Sequence, residues 1–298
     1  MHSTMSDANA SHSYPQISVP IIGYHRSALT QKFGIPRQPN LVALPSVIEL
    51  IVPYNTPEAF DGIEQFSHLW ISWHTHHNNN LKNHNNHSKN NNNFKTHTAN
   101  NDEHNNNHNQ TELTQQPSAF KPPVFKPKVR PPRLGGNTKL GVFATRSTFR
   151  PSQLGLSVVK LERVEVVNSQ VRLHISGADM VDGTPIVDIK PYIAYSDALT
   201  DAVSGFAPDR PQLQPVSINT AVQAELEQLL SPADIEIICQ LIAQDPRPAY
   251  RKAHSKANDV DGQDQQRVYF LRYKQFDIGF VWQSADAKFC IVSLRVLD

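Results

Sequence analysis

L-S-V-V-K-L-E-R-V-E-V-V-N-S-Q-V-R-L-H-I-S, residues 156–176, decides the fold class. Apolar β-branched side chains alternate with polar ones on both sides of Asn168-Ser169. That pattern predicts a β-hairpin with arms Leu156–Val167 and Gln170–Ser176. Downstream, A-D-M-V-D-G-T-P-I-V-D-I-K-P-Y (178–192) adds an Asp182-Gly183 turn and an alternating I-V-D-I strand. Upstream, I-S-V-P-I-I-G-Y (17–24), V-I-E-L-I-V (47–52) and S-H-L-W-I-S-W-H (67–74) read as strands. E-A-F-D-G-I-E-Q-F (58–66) reads as one or two helical turns, and G-V-F-A-T-R (141–146) as a short strand. Repeated short strands with turns and no long helix point to a mainly β protein, a small barrel or a sandwich.

Composition changes at Ser204–Pro215, a polar proline-containing linker. Beyond it, Ala221–Leu230 is predicted helical. S-P-A-D (231–234) opens a second helix with Ser231 as N-cap, Pro232 at the first position, and Ile235, Ile238 and Ile242 on one face. D-P-R-P (245–248) stops it, and V-Y-F-L-R-Y, F-D-I-G-F-V-W and F-C-I-V-S-L close the chain as strands. The expected organisation is a flexible tail (1–15), a barrel domain (16–200), a linker (201–220) and a small C-terminal α+β domain (221–298).

Between the third strand and the basic stretch, 78–110 carries sixteen asparagines among its 33 residues, with histidines between them. Too few apolar side chains remain to bury a core, which predicts a disordered insert, with its loop running to about residue 128. Its histidines lack paired ligand spacing, so no specific metal site is expected. Cys239 and Cys290 lie in apolar runs and read as core residues of a reducing compartment. No apolar run reaches membrane-spanning length, and M-H-S-T-M-S-D-A-N-A has no signal-peptide core, so a cytoplasmic location without a membrane partner is expected.

The chain carries a net charge of +1, yet Lys121–Arg150 holds eight Lys or Arg and no Asp or Glu. Its glycines and prolines set those cations on tight loops suited to phosphate or carboxylate recognition. A merely solvated basic loop is the competing reading. Another proline-bracketed loop, K-F-G-I-P-R-Q-P-N (32–40), is a rigid hook able to present polar groups, or an ordinary turn. Asp179, Asp182 and Asp188 offer carboxylates for metal or proton transfer, although aspartate before glycine more often shapes a turn. Neither a GxGxxG unit nor a P-loop, HExxH or GxSxG motif is present.

Six motifs in order resemble the TsaA/TrmO family of S-adenosylmethionine-dependent tRNA methyltransferases. They are K-F-G-I-P-R-Q-P (32–39), F-S-H-L-W (66–70), V-R-P-P-R-L-G-G-N (129–137), G-V-F-A-T-R-S (141–147), V-D-G-T-P-I-V-D-I-K-P-Y (181–192) and D-P-R-P-A-Y-R (245–251). The resemblance implies a non-Rossmann β-barrel methyltransferase with a small C-terminal domain. It implies a homodimer with each active site near the subunit interface. The implied reaction is N6-methylation of threonylcarbamoyladenosine at position 37 of a threonine tRNA. Cofactor contacts carry over to Pro36, Arg37 and Gln38, to His76 and His77, to Arg146 and Leu156, and to Gly177, Ala178 and Asp179.

On that reading Arg146 pairs with the cofactor carboxylate, and Asp179 accepts from its ammonium or ribose. Arg130, Arg133, Lys139 and Arg150 would hold the anticodon stem-loop by its phosphates. Phe149 or Tyr192 would stack a splayed base. Asp182 is the weak candidate for taking the N6 proton. One departure stands out: F-R-P-S-Q-L-G (149–155) replaces the family's common F-R-P-N-P-I-G. The alternatives are a cofactor- or RNA-binding barrel without methyl transfer, a methyltransferase with another nucleotide target, and a histidine-rich metal-storage or assembly protein.

Overall fold

The computed structural model describes residues 17–76, 125–249, 252 and 267–297. The tail, His77, the 78–110 insert and the end of the D-P-R-P-A-Y-R motif lie outside them. Six antiparallel strands close into a barrel in the order β1-β2-β7-β6-β3-β8. They are β1 (Gly23–Ser27), β2 (Pro45–Leu50), β3 (His68–His74), β6 (Leu154–Val167), β7 (Gln170–Ser176) and β8 (Pro185–Pro191). Between β3 and β6 stands a two-stranded arm, β4 (Lys128–Val129) with β5 (Leu140–Gly141).

Period-two alternation turns one face of each strand inward. Val171, Leu173 and Ile175 of β7 are buried, as are Ile48, Leu50, Leu69, Ile71, Val159 and Ile186. A six-stranded barrel is narrow enough for these side chains to fill it. The β6–β7 hairpin turns at Asn168 (φ 50°) and Ser169 (φ 60°), two left-handed residues whose twist matches that of the flanking strands.

Three sequence expectations shift: β2 ends at Leu50, short of the expected Val52, which is 78% exposed, and two others move further. Ile17–Pro20 is exposed and not part of a strand, and β1 starts only at Gly23. Pro20 has no N–H to give a ladder, and Ile17 stays 90% exposed. The expected strand at 141–146 is a two-residue pairing followed by a 3-10 turn, Val142–Ala144, because Val142 alone of its apolar pair is buried.

After a short α1 (Ala194–Asp197), a second sheet runs β10-β11-β12-β9. Its strands are β9 (Val216–Ile218), β10 (Tyr269–Tyr273), β11 (Phe276–Gln283) and β12 (Lys288–Val296), packed by α2 (Thr220–Leu229) and α3 (Pro232–Ala243). Ser231 Oγ accepts from Asp234 N at 3.1 Å, the N-cap the sequence predicts. This second core does not stop at the linker. Leu29, Val42 and Leu44, from the loop between β1 and β2, are buried in it with Leu271, Phe280 and Ile291. The hook, residues 32–40, lies within that loop.

Candidate active site

The first half of the hook is an anchor. Phe33 stacks on Tyr269 (6.4 Å between centroids) and Phe280 (6.3 Å). Gly34 takes φ 89°, and a Cβ there would stand 2.0 Å from Leu271 Cδ1. The apolar half thus docks in the C-terminal core; Pro36 is itself buried, and Arg37 and Gln38 are left to be presented. Gln38 Nε2 donates to the Arg37 carbonyl at 2.6 Å, and Arg146 Nη1 donates to Gln38 Oε1 at 2.5 Å. At the far end, Asn40 (φ 60°) donates its N–H to Gly177 O at 2.8 Å and its Nδ2 to Val158 O at 2.9 Å.

Gly177 is obligatory there. It sits at φ 83°, and a Cβ would fall 2.3 Å from Asn40 Oδ1. The hook is therefore tied to Arg146, to the Gly177–Asp179 segment and to β6. Seven of the ten expected cofactor residues, from three separate stretches of chain, come together this way. Leu156 projects from β6, 57% exposed, next to Ser157. His76 follows β3, where Thr75 N donates to Gln153 O at 2.9 Å. His77 is outside the described residues.

Asp179 is the acid of the set. Burial pushes its pKa up, against the opposing pull of the Ser157 hydrogen bond and the Arg146 charge. A relay fixes it: Trp73 Nε1 donates to Ser157 Oγ at 2.9 Å, and Ser157 Oγ donates to Asp179 Oδ1 at 2.5 Å. Gly155 makes room for the indole, since a Cβ there would meet Trp73 Cε2 at 2.2 Å. Sequence reasoning singled out neither Trp73, Ser157 nor Asn40. The glycine opposite Trp73 in the β3–β6 register is the signal, visible only once the strands are paired.

The donor set fits S-adenosylmethionine. A desolvated carboxylate suits an ammonium or ribose hydroxyl, and an exposed arginine suits a carboxylate. Leu156 offers exposed apolar surface for a base. At the same end of β3, buried Thr75 Oγ1 has no hydrogen-bond partner among the described residues.

On the arm, Arg130, Arg133 and Lys139 are exposed. Arg150 differs: its Nη1 donates to Thr145 O and Ser147 O, both at 3.2 Å, closing its own loop. Of the two candidate stacking rings, Phe149 is exposed, while Tyr192 packs on Trp70 at 5.9 Å and His68 at 6.2 Å. The sequence reading passed over Phe125 and Phe143, which stack 6.1 Å apart at the foot of the arm, Phe143 being 71% exposed. Asp182 Oδ1 accepts from Ser27 N at 3.0 Å and its own N donates to Leu29 O, a turn-shaping position. Asp188 pairs with Lys190 on the surface. Among the described residues no cluster of three metal-ligating side chains occurs. In the departing F-R-P-S-Q-L-G loop, Gln153 stands at φ 53°, a conformation that the proline common at this position cannot adopt.

A closed antiparallel barrel with a polar rim site and a cationic arm defines a non-Rossmann, cofactor-binding class. The tRNA-methyltransferase O N-terminal domain matches residues 24–103 and 103–198, and the TrmO C-terminal domain matches 211–296. The chain is 35% identical over 278 residues to the tRNA (adenine(37)-N6)-methyltransferase of Escherichia coli, covering 92% of this chain and 96% of that protein. It is 47% identical over 153 residues to the protein of the same name from Eikenella corrodens, covering 51% of this chain and 78% of the other. A crystal structure of TrmO from Pseudomonas aeruginosa superposes with a TM-score of 0.61 at 29% identity, covering 94% of this chain and 99% of that one. The chain belongs to the tRNA-methyltransferase O family.

Proposed function

We propose that this protein methylates N6 of threonylcarbamoyladenosine at position 37 of a threonine tRNA, with S-adenosylmethionine as donor. The chain is an S-adenosylmethionine-dependent tRNA adenine-N6 methyltransferase, as its relatives' names and family place it; the modified nucleoside and the tRNA are the proposal. One observation supports an RNA substrate beside the donor: a single segment, residues 128–146, bears the exposed cations of the arm and then Arg146, which joins the hook. RNA and cofactor surfaces are thereby continuous.

S-adenosylmethionine supplies an electrophilic methyl group on a sulfonium. For the protein, the work is alignment, since holding two reactants in line can contribute about 7–11 kcal/mol. Arg146 holds a carboxylate, Asp179 an ammonium or hydroxyl, and the hook fixes the approach. Arg130, Arg133 and Lys139 hold phosphates, and Phe149, with the Phe125–Phe143 pair, offers rings for an unstacked base. On the same reading the protein is a cytoplasmic homodimer; light scattering on the purified chain checks the dimer.

The test is incubation with methyl-labelled S-adenosylmethionine and total tRNA from a bacterial strain lacking this activity, followed by nucleoside mass spectrometry. One added methyl on threonylcarbamoyladenosine is expected. Label on another nucleoside would keep the enzyme class and overturn the substrate. Binding without transfer would favour a barrel that only binds.

A further inference from the structure

D-P-R-P-A (245–249) ends α3 and has no role so far. Asp245 stands at φ 52°, left-handed for a non-glycine residue. Its carboxylate grips Arg247 through Nε at 2.8 Å and Nη2 at 3.1 Å, and accepts from the Arg247 N–H at 3.3 Å. Lys252 Nζ donates to the Asp245 carbonyl at 2.6 Å and lies 3.3 Å from its Oδ2. The Arg247 side chain is 3% exposed, its guanidinium 4.4 Å from the Trp282 ring centre and 5.1 Å from that of Phe289. Burying such a pair is expensive, and apolar residues of the same volume would often serve the fold as well. What the pair achieves is placement of a backbone turn.

That turn touches both halves of the site. Arg37 Nη2, in the hook, donates to the Arg247 carbonyl at 3.3 Å. Gln244 Nε2 reaches Leu41 O at 3.4 Å, just past the hook. On the other side, a Cβ on Gly136 of the cationic arm would come 3.3 Å from the Ala249 Cβ, so arm and turn pack closely. Asp245 is held ionised: burial raises its pKa, and Arg247 and Lys252 more than reverse that.

We propose that Asp245 and Arg247 are positioning residues of the methyl-transfer site. They fix a C-terminal turn that braces the Pro36-Arg37-Gln38 hook on one side and the Gly135-Gly136 bend of the arm on the other. The C-terminal unit therefore sets cofactor affinity without touching the cofactor. This rests on the reading that the hook holds S-adenosylmethionine.

The experiment compares full-length wild type, Arg247→Lys, Asp245→Asn, Lys252→Gln and a core control, Ile278→Val. Calorimetry gives the S-adenosylmethionine Kd, steady-state kinetics gives separate KM values for cofactor and tRNA, and thermal unfolding gives Tm. Arg247→Lys keeps the charge but loses the two-pronged grip. We expect its cofactor Kd and KM to rise about tenfold, with kcat changed less than threefold. Lys252→Gln, which spares the Asp245–Arg247 pair, should raise Kd about threefold and keeps the test alive if the other two fail to fold. Ile278→Val should lower Tm and leave Kd unchanged. Unchanged Kd in the folded turn variants, or a Kd rise in Ile278→Val matched to its Tm loss, would overturn the proposal. Absence of cofactor binding by wild type would instead sink the reading of the hook.

Discussion

On the proposed reading, Asp179 sets stability against function. Its folded-state pKa lies above the unfolded one, so the folded protein favours the protonated acid. The fold therefore loses stability as pH rises from the unfolded carboxylate range through the folded value. Asp179→Asn, which keeps an acceptor for Ser157, should raise Tm at neutral pH and flatten its pH dependence, while weakening cofactor binding. Thermal melts of both proteins from pH 4 to 8 check the first part, and calorimetry the second. Arg146 answers to another measurement. Its loss in Arg146→Ala removes a charge-assisted contact of about 1.5–3 kcal/mol, or roughly 10- to 100-fold in cofactor Kd. Unchanged binding would take Arg146 out of the site.

At the scale of elements, Gly177 holds the hook in place and Gly155 makes room for Trp73 of the relay. Gly177→Ala forces a Cβ into Asn40 at a positive φ and should cost about 1–3 kcal/mol. Because Asn40 ties hook to β6, cofactor affinity should fall with it. Gly155→Ala drives into the Trp73 ring and should cost a similar ~1–3 kcal/mol. Urea titration measures both. The hairpin at 156–176 was legible because alternation and an Asn-Ser turn act locally. So was the Ser231 cap of α3. The Trp73–Ser157–Asp179 relay was not, because it needs the register of β3 on β6 and the return of the chain after β7. From sequence the hook reads as a loop presenting polar groups or as an ordinary turn, since nothing near Phe33 in sequence announces that its partners are Tyr269 and Phe280.

At the scale of the molecule, the two cores share the β1–β2 loop, so the C-terminal sheet and the proposed cofactor rim form one mechanical unit. The resemblance to a family carried most of the functional reading. The structure adds which charges are available: Arg130, Arg133 and Lys139 stand exposed, while Arg150 is engaged with its own loop. tRNA affinity should fall with salt, and replacing those three cations by alanine should reduce the slope of log K against log salt by roughly one per cation. Arg150→Ala should instead lower Tm.

The central claim meets its most direct test in a pair of synthetic threonine anticodon stem-loops, identical except that one carries threonylcarbamoyl on the position-37 adenine. Transfer of label from S-adenosylmethionine is measured on each. The account predicts methylation of the modified stem-loop and none of the plain one. Equal methylation of both, or methylation of the plain adenine alone, would contradict it.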